Sequence, residues 1–290
     1  MPLFKTNYKT IPLIDDFLIP PFSYLDTKQK YWSDRRAMWL KYTEDLTESR
    51  DGDFGRTFNI QKEGLEKRTS TFDPVLAELM YKWFTRNPVK ILDPFGGEQT
   101  KGIVAGALGY EYWGMELRQE QVDINVKRAE NYPSVHYVCG DSNYIDTKIQ
   151  ERGFNFCFTS PPYYDLEVYS DNSSDISTKQ SYKDFMRDLA SIFIGCYSML
   201  DENTFTVVKL GEVRDNNGAY YGFVPEFVSL MQCIGWKLYN EIILLNRVGS
   251  AAVRSAGNMK SRKVVKLHQN VLVFYKGDTK NVNKYFPEMR

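Results

Sequence analysis

The run Thr159-Ser160-Pro161-Pro162-Tyr163-Tyr164 follows the apolar stretch Phe154-Asn155-Phe156-Cys157-Phe158. This spacing places a hydroxyl, two prolines and two phenol rings at the exposed carboxyl end of a predicted buried strand. Each proline fixes φ near about −65° and removes a backbone N–H, and the first also restricts Ser160 ahead of it, so the turn is rigid and presents outward carbonyls. The Ser160 hydroxyl, a proline carbonyl and the face of Tyr163 suit a flat ring that carries an exocyclic amino group: two acceptors for its N–H bonds and one π surface for stacking. A nucleobase has that shape. A Pro-Pro pair is also a common strand-edge device, and the stretches upstream decide between the two readings.

Upstream, Val89-Lys90-Ile91-Leu92-Asp93 reads as a short strand, followed by Pro94-Phe95-Gly96-Gly97 and a helical stretch from Glu98 to Leu108. A strand, glycine turn and helix let a ligand approach the backbone closely, with Asp93 at the strand tip to meet it. A second strand, Tyr110 to Leu117, carries Glu116 23 residues after Asp93, where a doubly wound unit places the carboxylate that accepts from ribose hydroxyls. A third strand, Val135 to Gly140, ends at Asp141-Ser142. Three strands that each finish in an acid point to a nucleoside site along one sheet edge, and the Pro-Pro turn ends the fourth strand on that edge. The glycines match neither Gly-x-Gly-x-x-Gly nor a phosphate-binding loop, which disfavours a nicotinamide cofactor.

Thr71 or Asp73 is placed to cap a helix whose first turn suits Pro74 and whose apolar stripe is Leu76, Leu79, Met80 and Trp83. Downstream, residues 171–180 read as a polar loop, Tyr182 to Leu200 and Val224 to Ile234 as helices, and Thr204 to Leu210, Lys237 to Asn246 and Val271 to Tyr275 as strands five to seven. No crossover helix separates the last two strands, so they are expected to pair antiparallel around the stretch 247–268. Lysine plus arginine balance aspartate plus glutamate at 37 each, but Arg247, Arg254, Lys260, Arg262, Lys263 and Lys266 fall in a stretch with no acid at all. A basic loop of that length is expected to contact DNA.

At 290 residues and 26% charged, with no apolar run of membrane length or signal-peptide pattern near Met1, the chain is expected to be globular and cytoplasmic. Cys139, Cys157, Cys196 and Cys233 are scattered in apolar contexts and His136 and His268 are the only histidines, so buried thiols are expected, with no disulfide frame and no metal. Tyr31, Trp32, Arg35, Arg36, Trp39 and Leu40 recur at helical spacing, read as a packed face before a base-stacking one, with Arg35 and Arg36 on a solvated face or at phosphates.

Together these motifs resemble those of amino-methylating DNA methyltransferases that use S-adenosylmethionine, over roughly residues 69–278. The resemblance implies an α/β, Rossmann-like methyltransferase fold with a mostly parallel seven-stranded sheet and an antiparallel last strand. It divides the chain into an N-terminal segment 1–68, packed on the core or contacting DNA, a methyltransferase domain 69–280 and a tail 281–290. By resemblance Asp93, Pro94, Phe95 and Gly97 form the cofactor turn, Glu116 and Leu117 the ribose side, Asp141 and Ser142 the adenine side. Thr71, Phe72 and Asp73 would enclose the methionine part, and Ser160, Pro161, Pro162 and Tyr163 the reacting amine. Glu98-Gln99-Thr100 departs from the family, which has x-Gly-Thr there. Cofactor and catalytic motifs lie only about 65 residues apart, so target recognition is assigned to the N-terminal segment, the 165–180 loop or the basic stretch.

Further segments, among them Pro20-Pro21-Phe22-Ser23 and Gly211-Glu212-Val213-Arg214-Asp215, are similar to phage-encoded DNA methylases, which implies a bacterial host and a place in restriction-modification. The implied partner is double-stranded DNA. The implied reaction moves a methyl group to the exocyclic amine of a flipped base. Cytosine N4 is favoured because serine opens the turn where adenine-N6 enzymes usually carry Asp or Asn. Adenine N6, RNA or a protein glutamine as acceptor, and a non-catalytic DNA-binding module, stay open.

Overall fold

A computed structural model describes residues 12–43, 72–164, 174–249 and 251–289. In chain order the elements are α1 (Pro12–Phe17), β1 (Tyr24–Asp26), α2 (Lys30–Thr43), α3 (Pro74–Phe84), β2 (Lys90–Asp93), α4 (Thr100–Ala107), β3 (Glu111–Glu116), α5 (Gln119–Arg128) and β4 (Val135–Cys139). There follow α6 (Ile145–Lys148), β5 (Phe154–Thr159), α7 (Tyr182–Met199), β6 (Leu200–Leu210), α8 (Phe223–Ile234), β7 (Lys237–Leu245), α9 (Ala251–Met259), β8 (His268–Lys276) and α10 (Val282–Tyr285).

The strands form one sheet in the order β1-β7-β8-β6-β5-β2-β3-β4. All neighbours are parallel except β8, which runs antiparallel to both β6 and β7. The sheet therefore brings the carboxyl ends of every other strand, and the amino end of β8, to one edge. Strand alternation divides the core. Ile91, Phe156, Phe158, Val207 and Val273 pack on one face with Trp32, Trp39, Leu76 and Met80, while Leu92, Cys157, Val208 and Phe274 pack on the other with Phe185, Phe193 and Phe227. Because helices cover both faces, β5 is buried at every position and is apolar except for Asn155 and Thr159.

Four departures from the sequence reading have physical causes. The sheet has eight strands because the three-residue β1, too short to show alternation, adds to β7 at the edge. The stretch 247–268 contains the nine-residue helix α9, which is exposed apart from buried Ala251 and half-buried Asn258 and shows no buried stripe. Residues 281–289 are no plain tail, since α10 is followed by Phe286, whose ring lies 4.8 Å from that of Phe205. Cys233 is exposed, whereas Cys157 and Cys196 are buried and Cys139 half-buried.

The described part of the N-terminal segment packs on the core. Arg35 is 2% exposed and forms a two-pronged ion pair with Glu78 of α3, which also accepts from Trp39 Nε1 at 2.6 Å. Arg35 therefore holds α2 to α3 and reaches neither solvent nor phosphates. Arg36, half-buried, lies 3.7 Å from Asp73. No described helix is long and apolar enough to cross a membrane.

Candidate active site

The carboxyl edge of the sheet surrounds a cavity of about 230 Å³. Its lower wall is the turn after β2. Gly96 N–H donates to Met115 O at 2.6 Å, and a Cβ on Gly96 would fall 3.0 Å from that oxygen, so a side chain here would press the turn off β3 by a few tenths of an ångström. Gly97 has φ +57°, a left-handed conformation that glycine adopts without strain.

Glu116, at the end of β3, fixes the same turn from the side. One carboxylate oxygen accepts Gly97 N–H at 3.1 Å, and the other accepts Arg118 N–H at 3.1 Å and Arg118 Nε at 3.3 Å. Burial pushes its carboxyl above the ordinary value, against the pull of these donors and the Arg118 charge. Asp141, just past the end of β4, caps the following turn by accepting Asn143 N–H at 2.9 Å, while Ser142 Oγ donates to Pro94 O at 2.5 Å. Pro94, Phe95, Gly97, Glu116, Leu117, Asp141, Ser142 and Phe72 all line the cavity.

Asp93 and Asp73 do not line it. Asp93 is fully buried beneath the turn, where one oxygen accepts from Thr159 Oγ1 at 2.7 Å and Phe95 N–H at 3.1 Å. The other accepts from Tyr112 OH at 2.6 Å and pairs with Lys101 Nζ at 2.5 Å. Since Thr159 immediately precedes Ser160, this one carboxylate ties the glycine turn to the strand that carries the Pro-Pro turn. Asp73 caps α3 through Val75 N–H at 2.9 Å and accepts Trp32 Nε1 at 3.1 Å. Thr71 lies outside the described residues.

The opposite wall is the turn itself. Ser160, Pro161, Pro162 and Tyr163 all line the cavity, Pro161 buried and the others half-buried. Gln269, at the start of β8, donates from Nε2 to the Tyr163 hydroxyl at 2.8 Å. Lys209, near the end of β6 and beside Ser160, places Nζ 4.8 Å from the centre of the Phe72 ring. Gln269 stood in the sequence only within residues 266–274, a segment similar to phage-encoded DNA methylases and without a role, and Lys209 did not stand out. Their place became visible only once β6 and β8 were known to end at this edge.

Glu98 was read only as a departure, and it proves to be a strut. It is 5% exposed and accepts Phe72 N–H at 2.8 Å through one oxygen, and Thr100 N–H and Oγ1 at 3.0 and 2.8 Å through the other. It thereby caps α4 and holds Phe72 over the cavity. Burial raises its carboxyl above the ordinary value. Asn125 of α5, fully buried, donates to Gly97 O at 2.8 Å.

Of the basic residues, Arg247, Arg254, Lys260, Arg262, Lys263 and Lys266 all lie outside the cavity lining. The connection that holds them starts at the end of β7 and returns to the start of β8, so it emerges at the same edge. Arg247 donates to Ser33 Oγ of α2 at 2.8 Å.

This is the fold of the Rossmann-like methyltransferases. A crystal structure of a methyltransferase from Pyrococcus furiosus is similar with a TM-score of 0.50 at 15% identity, over 85% of this chain and 100% of that one. TrmN from Thermus thermophilus gives 0.47 at 12% identity, over 71% of this chain and 49% of that one. More narrowly, residues 154–289, from β5 through the Pro-Pro turn to the C-terminal region, match the DNA methylase family, in accord with the resemblance of the motifs to amino DNA methyltransferases. Among curated proteins, the tRNA (guanine(10)-N2)-dimethyltransferase of Pyrococcus abyssi (strain GE5 / Orsay) is 25% identical over 147 residues, which is 50% of this chain and 43% of that protein. The chain thus spans less than half the length of that relative.

S-adenosylmethionine is the cofactor of this family and fold, and the cavity fits it. Gly97 leaves room for a close ligand, Glu116 keeps acceptor capacity for ribose hydroxyls, and Phe72 provides an apolar wall.

Proposed function

We propose that the protein transfers a methyl group from S-adenosylmethionine to the exocyclic amine of a base turned out of double-stranded DNA, with cytosine N4 the favoured acceptor. The observation that carries this reading is that the glycine turn with Glu116 and the Ser160–Tyr163 turn face each other across one cavity. Glu116, Asp141, Gly97 and Phe72 would hold the cofactor, and when bound it supplies an electrophilic methyl group on a sulfonium.

An aromatic amine is a weak nucleophile because its lone pair is delocalised into the ring. The Ser160 hydroxyl and the Pro161 carbonyl accept its two N–H bonds, which favours a pyramidal nitrogen and frees the lone pair. Tyr163 stacks on the extruded base and offsets part of the unstacking and unpairing cost, about a few kcal/mol. As the new N–C bond forms and the C–S bond breaks, the nitrogen releases its surplus proton to water. Orientation supplies much of the rate. Cytosine C5 chemistry would need a thiolate, and Cys157 is buried in β5, where desolvation pushes its thiol well above the ordinary value.

A second reading, methylation of a guanine N2 amine in RNA, is favoured by the named activity of the Pyrococcus abyssi relative. Incubation with labelled S-adenosylmethionine and either DNA or RNA, followed by mass spectrometry of the nucleosides, separates the two. N4-methylcytosine is the expected product. N6-methyladenine would overturn the serine argument alone, N2-methylguanine would move the substrate to RNA, and no methylated nucleoside would overturn the proposal. Ser160→Ala should lower turnover by about 10²-fold with cofactor affinity unchanged, as for loss of a group that acts mainly on the transition state.

A further inference from the structure

Beyond the cavity, residues 213–221 form a small hairpin. Tyr221 N–H donates to Val213 O at 3.0 Å, Asp215 N–H to Ala219 O at 2.8 Å, and Arg214 bridges antiparallel to Tyr220. Successive residues of such a hairpin face opposite ways. Tyr221 faces inward, its ring 5.5 Å edge-on from Tyr164 and stacked 4.5 Å from Tyr182. The hairpin is thereby locked to the residue next to Tyr163. Tyr220 faces outward, 43% exposed, with the Arg214 guanidinium 3.8 Å over its ring.

The hairpin tip gathers two cations from different parts of the chain. Arg214 Nη1 donates to Gly218 O at 2.7 Å. Lys263, carried on the far side of α9, comes so close that a Cβ on Gly218 would fall 1.9 Å from its Nζ. The φ of +86° at Gly218 is a left-handed conformation that favours glycine. The nearby acids are engaged with backbone amides: Glu212 accepts Phe223 and Val224 N–H at 3.1 and 2.7 Å, and Asp215 accepts Ala219 N–H at 2.8 Å.

We infer that the hairpin tip, with Arg214, Tyr220 and Lys263, is a phosphodiester clamp for the strand that carries the acceptor base. This rests on the proposed function and adds to it the element that holds the substrate. A guanidinium already flattened on a ring presents its remaining N–H groups in a fixed plane to a phosphate, and an ammonium beside it supplies a second charge. Cations interleaved with an exposed aromatic ring are what a polynucleotide backbone and its bases require. The contact between Tyr221 and Tyr164 joins the clamp to the segment that carries Tyr163, so a strand held at the tip is held by an element fixed to the Pro-Pro turn.

The test is fluorescence anisotropy of labelled duplex DNA, and of RNA of matched length, against the full chain over a range of potassium chloride concentrations. Arg214→Ala and Lys263→Ala are each expected to weaken binding by about tenfold and to lower the salt slope by about one unit, the signature of one lost phosphate contact. Tyr220→Ala should weaken binding with the slope unchanged, and cofactor affinity by calorimetry should not move in any variant. Lys263→Gln, a surface change of similar length, serves if the Arg214 variant does not fold. Wild-type affinity and slope in the Lys263 and Tyr220 variants would overturn the clamp alone. Failure of the unaltered protein to bind either polynucleotide would overturn the clamp and the proposed function together, and binding to RNA alone would overturn DNA as the strand held.

Discussion

The two walls of the cavity are built in opposite ways. On the cofactor side, Asp93, Glu98 and Glu116 each accept backbone N–H groups, and Asp93 and Glu98 are buried. On the acceptor side, the cations of the 247–268 connection lie outside the cavity, and Val253 and Val264 beside them are 83% and 68% exposed. The first wall is held rigid before any ligand arrives. The second leaves Arg247, Arg254, Lys260 and Arg262, with Val253 and Val264, exposed at the surface. Stability and binding should therefore separate cleanly between the two walls.

The strongest way to break that comparison is Asp93→Ala. It removes the acceptor of Thr159, Tyr112 and Phe95 and leaves the Lys101 ammonium, 4% exposed, without its carboxylate. Loss of one partner of a buried pair costs about 3–5 kcal/mol, read as a lower midpoint in urea unfolding. Lys263→Ala, in the basic connection outside the cavity, should stay within about 0.5 kcal/mol of the unaltered protein in the same assay. Equal losses would show that the two walls do not divide the work in this way.

An effect of intermediate size concerns pH. Burial raises the Glu116 carboxyl. The ionised form accepts hydrogen bonds, so its contribution to cofactor binding is complete above the raised pKa and is lost as pH falls through it. Affinity for S-adenosylmethionine, followed by calorimetry, should therefore begin to fall at a higher pH than an ordinary carboxylate titration predicts. Glu116→Gln should bind more weakly at neutral pH and lose that dependence.

Much of the cofactor wall was legible in the sequence, because acids at strand ends follow from local order alone. Glu116, Asp141 and the Ser160–Tyr163 turn stand at the edge where their spacing put them. What was not legible depends on contacts between distant segments. Asp93 looked like a ligand-facing acid, yet its partners come from β3, α4 and β5, and no local pattern announces such a hub. Arg35 looked like half of an exposed pair because its partner, Glu78, lies 43 positions on. The Arg214–Tyr220 hairpin showed in the sequence only as part of the 211–215 segment, without a role, because what places it is distant: the Tyr221 ring against Tyr164 and Tyr182, and Lys263 beside Gly218.

The smallest effect tests whether the acceptor wall has any rigidity of its own. Gln269 donates one neutral hydrogen bond to the Tyr163 hydroxyl, and Gly211 leaves space beside that hydroxyl, where a Cβ would sit 3.5 Å away. A neutral bond of this kind contributes about 0.5–1.5 kcal/mol, so Gln269→Ala should lower kcat/KM by roughly two- to tenfold with cofactor affinity unchanged. Tyr163→Phe keeps the stacking face and deletes the same bond from the other side, so it should cost a similar amount. The double variant should be no worse than either single one, because both remove one interaction. Additive losses would mean that Gln269 touches the substrate directly. In that case the amino end of β8, rather than the ring orientation of Tyr163, would be the part of this wall that meets the base.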